Sequence, residues 1–154
     1  MERFNVLNGE LPTQQDRPGY AWRGRFGVAR ELGLRNLGAS VYELPAGEWS
    51  FPYHYHHGVE EWLYVIGGSP ALRDPGGERV LAPGDLVAFP SGPAGAHSVR
   101  GPGRIVMFSG MPGAAEASVA IYPDSDKVGV RPRGGGPDRL NFRRDDAVDY
   151  WDGE

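Results

Sequence analysis

Three of the chain's four histidines lie within four residues of one another, and a pair of glutamates follows them. His54 and His56 are two residues apart, so on a β-strand both side chains would point to the same face. If residues 57–60 form a loop, Glu61 would lie opposite His56 on an antiparallel partner strand, with Cβ atoms about 5 Å apart. His97, from a later segment, would complete a set of three imidazoles and one carboxylate. The spacing therefore predicts a β-hairpin that supplies metal ligands, joined by one more histidine.

A site of nitrogen and oxygen ligands suits one divalent transition metal ion per chain: iron, manganese, nickel, cobalt or zinc. The chain has no cysteine, which excludes thiolate ligands and disulfides. Three histidines and one glutamate fill at most four positions of an octahedral ion, and two adjacent positions stay open for water, dioxygen or a chelating substrate. Structural zinc sites are normally closed, so an open site indicates chemistry or ligand binding.

Two neighbouring residues, Glu60 and His57, are alternative ligands or hydrogen-bond partners of the ligands. Strand alternation favours Glu61 over Glu60, because Glu61 shares a face with the apolar Leu63 and Val65. Glu60 shares its face with aromatic side chains whose polar edges suit an interface. His57 would point away from the face of the other two histidines. Either residue, or a tyrosine, could also act as a general base, and the sequence selects none of them.

The composition favours a β-rich chain. Among 154 residues are 24 glycines and 14 prolines, too many for a helical protein, while 40% apolar and 11% aromatic residues argue against disorder. The net charge of −4 gives no reason to expect nucleic acid as a partner. Five arginines are predicted to form a solvated patch balanced by an acidic tail; they lie at positions 131, 133, 139, 143 and 144.

No targeting or membrane segment is recognisable. The N-terminus lacks a basic-then-apolar signal pattern, and no apolar run approaches the length of a membrane span. We therefore expect a soluble, cytoplasmic protein without a membrane partner.

Short apolar runs separated by Pro-Gly turns predict an all-β sandwich or barrel. A turn is expected at residues 123–126, a flexible linker at 131–139, and a tail at 145–154 whose Tyr150 and Trp151 dock on the body or on a neighbouring subunit. The predicted strands cover residues 26–30, 40–44, 71–73, 78–81, 86–89, 96–99, 104–109 and 118–122.

Two spaced motifs resemble those of the cupin superfamily: His54-x-His56-x4-Glu61-x6-Gly68 and Gly84-x5-Pro90-x-Gly92-x4-His97. The resemblance covers about residues 40–110 and extends to small bacterial single-domain cupins without a settled activity. It implies a double-stranded β-helix, the jelly-roll barrel, with a metal inside held by His54, His56, Glu61 and His97. It also implies a homodimer. The expected layout is one domain over residues 1–154, with an N-terminal arm, a barrel at about 25–122 and a C-terminal extension at 123–154.

The chain departs from the family pattern at three positions. Gly47 is one residue further from His54 than usual, and two extra residues separate Gly92 from His97; both changes lengthen loops. Gly101 replaces an asparagine that usually follows the last histidine, which removes a polar group near the rim.

These observations favour a metal-dependent enzyme that acts on a small organic substrate. With iron the expected reaction is that of a dioxygenase, and with another divalent ion it is an isomerisation or lyase reaction. The alternative is a non-catalytic module that binds a sugar or an organic acid, with a structural or weakly held metal.

Overall fold

The computed structural model describes residues 2–110, 117–132 and 139–154. Thirteen strands and one short helix, α1 (Val28–Glu31), make up most of this part of the chain. The strands are β1 (Thr13–Arg17), β2 (Tyr20–Arg25), β3 (Leu37–Leu44), β4 (Tyr55–His57), β5 (Glu60–Gly68), β6 (Ala71–Asp74), β7 (Gly77–Val80), β8 (Leu86–Phe89), β9 (Ser98–Arg100), β10 (Gly103–Gly110), β11 (Ala117–Tyr122), β12 (Lys127–Pro132) and β13 (Leu140–Arg143).

Three antiparallel sheets build the fold. The largest has the order β1-β2-β3-β10-β5-β8, the second β13-β12-β11-β4, and the third β7-β6-β9. Neighbouring strands come from distant parts of the chain: β10 lies between β3 and β5. Such crossed connections are typical of a jelly roll. The all-β jelly-roll fold predicted from the sequence is confirmed.

The core lies between the sheets and follows from strand alternation. On β5 the inward side chains of Leu63 and Val65 are fully buried, whereas Trp62 and Tyr64 on the other face stay 43% and 39% exposed. Ile105 on the adjacent β10 pairs with Val65 and is also fully buried. The remaining members of this cluster are Leu44, Leu72, Leu81, Phe89, Val99 and Met107.

The N-terminal arm covers the outer face of the largest sheet. Its strands β1 and β2 extend the sheet edge, and a second apolar cluster forms around Leu11, Val28, Val41 and Val106. The strand predicted at residues 26–30 is wrong. Gly27 takes a left-handed conformation with φ of 70° after β2, and the next four residues turn into α1. Over five residues the alternation of side-chain types is too short to distinguish a strand from a helix.

The described part of the C-terminal extension contributes two more strands. β12 pairs with β11, and β13 pairs with β12, so the second sheet continues beyond residue 122. Of the predicted linker 131–139, Arg131 and Pro132 end β12, and residues 133–138 lie outside the described residues. Tyr150 and Trp151 are 83% and 71% exposed, so the expected docking of the tail on the body is wrong.

None of the helices within the described ranges is long and apolar enough to cross a membrane.

Candidate metal centre

The histidine pair and the glutamate reach the site from two different sheets. β4 pairs with β11, whereas β5 pairs with β10 and β8. The hairpin between β4 and β5 predicted from the sequence is therefore wrong. Gly58, with φ of 79°, lies in the short connection that takes the chain from one sheet to the other. The candidate ligand residues converge across the barrel instead of side by side on neighbouring strands.

A direct backbone pairing brings the two sequence motifs together. The amide of His54 donates to the carbonyl of His97 over 3.1 Å, and the amide of His97 donates back over 2.8 Å. His56 follows two residues later, and its carbonyl accepts a 2.7 Å hydrogen bond from the amide of Gly92. Side chains of directly paired residues share a face, so His54 and His97 both point into the barrel. The two residues added between Gly92 and His97 fit into a short 3-10 turn.

The four side-chain ends lie close together. His54 Nε2 is 3.1 Å from His56 Nε2, which in turn is 3.4 Å from Glu61 Oε2. His97 Nε2 is 3.7 Å from the same carboxylate oxygen. One ligand atom from each of His54, His56 and Glu61 lies within 4.8 Å of the others. This spacing can accommodate a metal ion.

Two histidines have a fixed tautomer. His54 Nδ1 and His97 Nδ1 each lie 2.9 Å from a backbone carbonyl oxygen, of Pro52 and of Gly95. A carbonyl only accepts, so each Nδ1 carries the proton and each Nε2 keeps its lone pair. His97 Nε2 is buried and finds no hydrogen-bond partner among the described residues. An unsatisfied buried group costs about 1–3 kcal/mol, which a bound cation would relieve. The donor set therefore fits a divalent transition metal.

Burial keeps the three imidazoles neutral and disfavours the charged form of Glu61 in the absence of a cation. It lowers the pKa of His54 to about 4 and the pKa values of His56 and His97 to about 3. Burial also raises the pKa of Glu61 to about 7. Neutral imidazoles are the form that binds metal, and the desolvated carboxylate of Glu61 gains most from a nearby positive ion.

Residues 40–109 match the family model of the cupin domain. This segment is a cupin domain. No curated protein matches the chain.

Several solved structures share the fold over most of the chain. A candidate sugar phosphate isomerase from Acidithiobacillus ferrooxidans is 26% identical, with 88% of this chain and 86% of that chain covered and a TM-score of 0.73. A sugar phosphate isomerase of the cupin superfamily from Silicibacter pomeroyi is 21% identical over 98% of both chains, with a TM-score of 0.74. The polyketide cyclase RemF from Streptomyces resistomycificus is 19% identical over 90% of this chain and 89% of that chain, with a TM-score of 0.55. The last two share the fold.

Aromatic packing holds the imidazoles of the cupin domain in place. The His97 ring stacks on Phe89 with centroids 3.7 Å apart and planes 9° apart. Phe51 meets the edges of both His54 and His97. Tyr122 stacks beside His54 at 5.6 Å. Rings packed on their faces lose rotamer freedom before any ligand binds, which pre-organises the site.

Glu60 and His57 lie apart from this cluster. Both are exposed, and His57 packs its ring against Tyr55 at 5.4 Å. Each stands one residue from a cluster member, on the opposite face of its strand, as period-2 alternation requires. Gly101, the third departure from the family pattern, lies so close to the Pro45 carbonyl oxygen that a Cβ there would overlap it. The space that an asparagine would need at this position is filled by backbone.

The cluster lines a cavity of about 300 Å³. Sequence analysis missed three of its polar walls: Tyr42, Tyr122 and Arg131. Arg131 was placed in a solvated patch, although Val128 and Val130 alternate with Gly129 and Arg131 as a strand requires. That alternation was the available signal. The other lining residues are Phe51, Pro52, His54, His56, Glu61, His97, Met107 and Arg139.

Proposed function

We propose that this protein binds one divalent transition metal through His54, His56, Glu61 and His97 and acts on a small organic substrate as an isomerase or lyase. The observation that carries the proposal is the convergence of three imidazoles and one partly buried carboxyl group on a single cavity. A divalent ion held there would supply Lewis-acid polarisation of substrate oxygens. Iron, manganese, nickel, cobalt and zinc all suit this donor set.

The chain's own residues define what could bind. A cavity of about 300 Å³ lies at the lower end of the range for ligand pockets, which favours a small molecule. Glu61 supplies one negative charge toward the ion, so a loaded centre would remain positive. Among the earlier candidates for a general base, Glu60 and His57 are exposed outside the cluster, whereas Tyr42 and Tyr122 line the cavity. We therefore propose that a residue lining the cavity, rather than Glu60 or His57, transfers the proton.

Similarity to the Acidithiobacillus protein supports the isomerase class over the dioxygenase. The dioxygenase, and a binding module that turns nothing over, are the competing outcomes of the test. We also propose a homodimer, supported by the exposed apolar side chains of the outer strands, such as Trp62 and Leu86. Sedimentation measurements check the dimer directly.

The first experiment measures metal content after purification without a histidine tag. Wild-type protein is expected to hold one divalent ion per chain. His54→Ala and His97→Ala should each lower metal affinity at least tenfold, by analogy with lost support of a ligand. The matched controls His57→Ala and Glu60→Gln should keep wild-type affinity. Unchanged metal stoichiometry in both alanine variants would refute the ligand assignment.

The second experiment tests the reaction class. Metal-loaded protein is incubated with sugar phosphates and hydroxy acids in D2O, and proton NMR follows exchange of the C–H next to the carbonyl. Deuterium incorporation or product formation supports the isomerase or lyase. Oxygen consumption by the iron form would assign the dioxygenase instead, and a co-purified metabolite that is never converted would assign the binding module.

A further inference from the structure

Arg131 lines the same cavity as the histidine cluster, and none of the ion pairs among the described residues includes it. Its guanidinium donates four hydrogen bonds, all to neutral oxygens. Nη1 reaches the carbonyls of Val130 and Leu140 at 3.0 Å each, and Nη2 reaches Tyr122 Oη and Asn141 Oδ1 at 2.8 Å each.

Six other arginines of the described ranges form ion pairs with carboxylates, and Arg131 does not. These are Arg25, Arg73, Arg79, Arg100, Arg104 and Arg144. A partly buried guanidinium without a carboxylate partner keeps its full positive charge beside the cavity. The attraction between this charge and an anion is strongest where water is scarce, so the charge favours an anionic ligand.

Gly129 makes the position of this guanidinium possible. A Cβ on Gly129 would lie 2.7 Å from both Nη1 and Nη2 of Arg131. The arginine therefore folds back over bare backbone and reaches Tyr122 on the adjacent strand β11. Any other residue would place a Cβ where the guanidinium lies, so Gly129 provides the space that the Arg131 side chain occupies.

Tyr122 receives the guanidinium bond and stacks its ring beside His54, with the planes 20° apart. Because its oxygen accepts from Arg131, its own hydroxyl proton remains available to another acceptor. Tyr122 lines the cavity that holds the four candidate ligands. A ligand oxygen in that space could accept this proton in a hydrogen bond.

We infer that Tyr122 is a substrate-contacting hydrogen-bond donor, and that Arg131, seated over Gly129, positions its hydroxyl and selects a small organic anion. The inference rests on the proposed function, since it names the substrate class of the same cavity. The shared chemistry is an anionic oxygen, carried by a carboxylate or by a phosphate group.

The test titrates three probes into the protein by calorimetry: succinate, inorganic phosphate, and succinamide as the uncharged match to succinate. Both metal-loaded and metal-free protein are used, and metal content is measured alongside. We expect wild-type protein to bind at least one of the two anions roughly tenfold more tightly than succinamide, as for a charge-assisted hydrogen bond. Preference for succinate assigns carboxylates, and preference for phosphate assigns phosphate esters.

Four variants separate charge, hydroxyl and position. Arg131→Met should weaken anion binding about tenfold and leave succinamide unchanged, and Arg131→Lys should restore part of the loss. Tyr122→Phe should weaken both anion and succinamide binding while its ring still packs beside His54. Gly129→Ala keeps every charge but displaces the guanidinium, so it should reproduce the loss of Arg131→Met.

Arg79→Met is the matched control, because Arg79 is exposed and paired with Asp74 on the edge hairpin of β6 and β7. It should bind the probes like wild type. Anion affinity that is unchanged in Arg131→Met and Tyr122→Phe would overturn the inference, and so would equal wild-type affinity for succinate, phosphate and succinamide. If the variants keep their metal content and their anion affinity is unchanged, this inference alone is refuted. If wild-type protein binds no metal, the proposed function is refuted.

Discussion

Replacing Glu61 by glutamine should separate the function of this residue from its contribution to stability. Glutamine has nearly the same shape but carries no charge at any pH. In the metal-free protein, burial raises the pKa of Glu61 from 4.5 to about 7. A carboxyl group whose pKa is raised in the folded state favours folding while it is protonated. Its contribution is lost as the pH rises through the range between 4.5 and 7.

The magnitude follows from the size of the shift. About 2.5 pKa units at 1.36 kcal/mol each give roughly 3 kcal/mol of destabilisation above pH 8. The side chain is 18% exposed and so keeps part of its hydration. We therefore expect Glu61→Gln to raise the free energy of unfolding of metal-free protein by about 2 kcal/mol at pH 8, with the difference vanishing near pH 4.5.

Urea denaturation in the presence of a chelator measures this difference from pH 4.5 to 8.5. The histidines are the same in both proteins, so their titration largely cancels in the comparison. The same variant should bind metal at least tenfold more weakly, because it lacks the anionic ligand. A variant that is more stable without metal but weaker in binding it marks a residue retained for function. Parallel stability curves for both proteins across this pH range would refute the reasoning.

Two further predictions concern stability. Gly101→Ala should lower the free energy of unfolding by about 1–3 kcal/mol in urea denaturation, because its Cβ would overlap the Pro45 carbonyl oxygen. Gly19→Ala is the control: a Cβ there meets nothing within 4 Å, so this substitution should act only through its backbone angle. Metal-free Glu61→Gln protein should lose stability as the pH falls below 6.5, by up to about 1.4 kcal/mol per pH unit for each buried histidine, because the folded pKa values lie at about 3 to 4. A flat stability profile between pH 6.5 and 4.5 would contradict the assigned burial of the imidazoles.

Short-range pattern was enough for much of the site. Period-2 alternation put Glu61 with Leu63 and Val65 on the inner face, and it put His57 opposite His54. These statements need only the direction of successive side chains on one strand, which the backbone fixes locally. Turn residues likewise located strand ends, as at Gly84, where φ is 95°.

Which strands pair with each other could not be predicted from the sequence. The predicted hairpin of β4 and β5 does not form, because β4 pairs with β11 from more than sixty residues further on. Strand partners are chosen by burial and closure of the whole sheet, and a single sequence carries little information on them. The candidate ligands nevertheless converge, since both strands face one interior.

The chain sequence by itself determined which side chains share a face: the imidazole pair, the inward carboxylate and the apolar residues around them. Tertiary structure alone decided that His97 pairs with His54 through the backbone, and that Arg131 folds over Gly129 to reach Tyr122. The physical reason is separation along the chain. The geometry of adjacent residues decides which face of a strand a side chain points to, whereas these contacts depend on the closure of sheets whose strands are far apart in the chain.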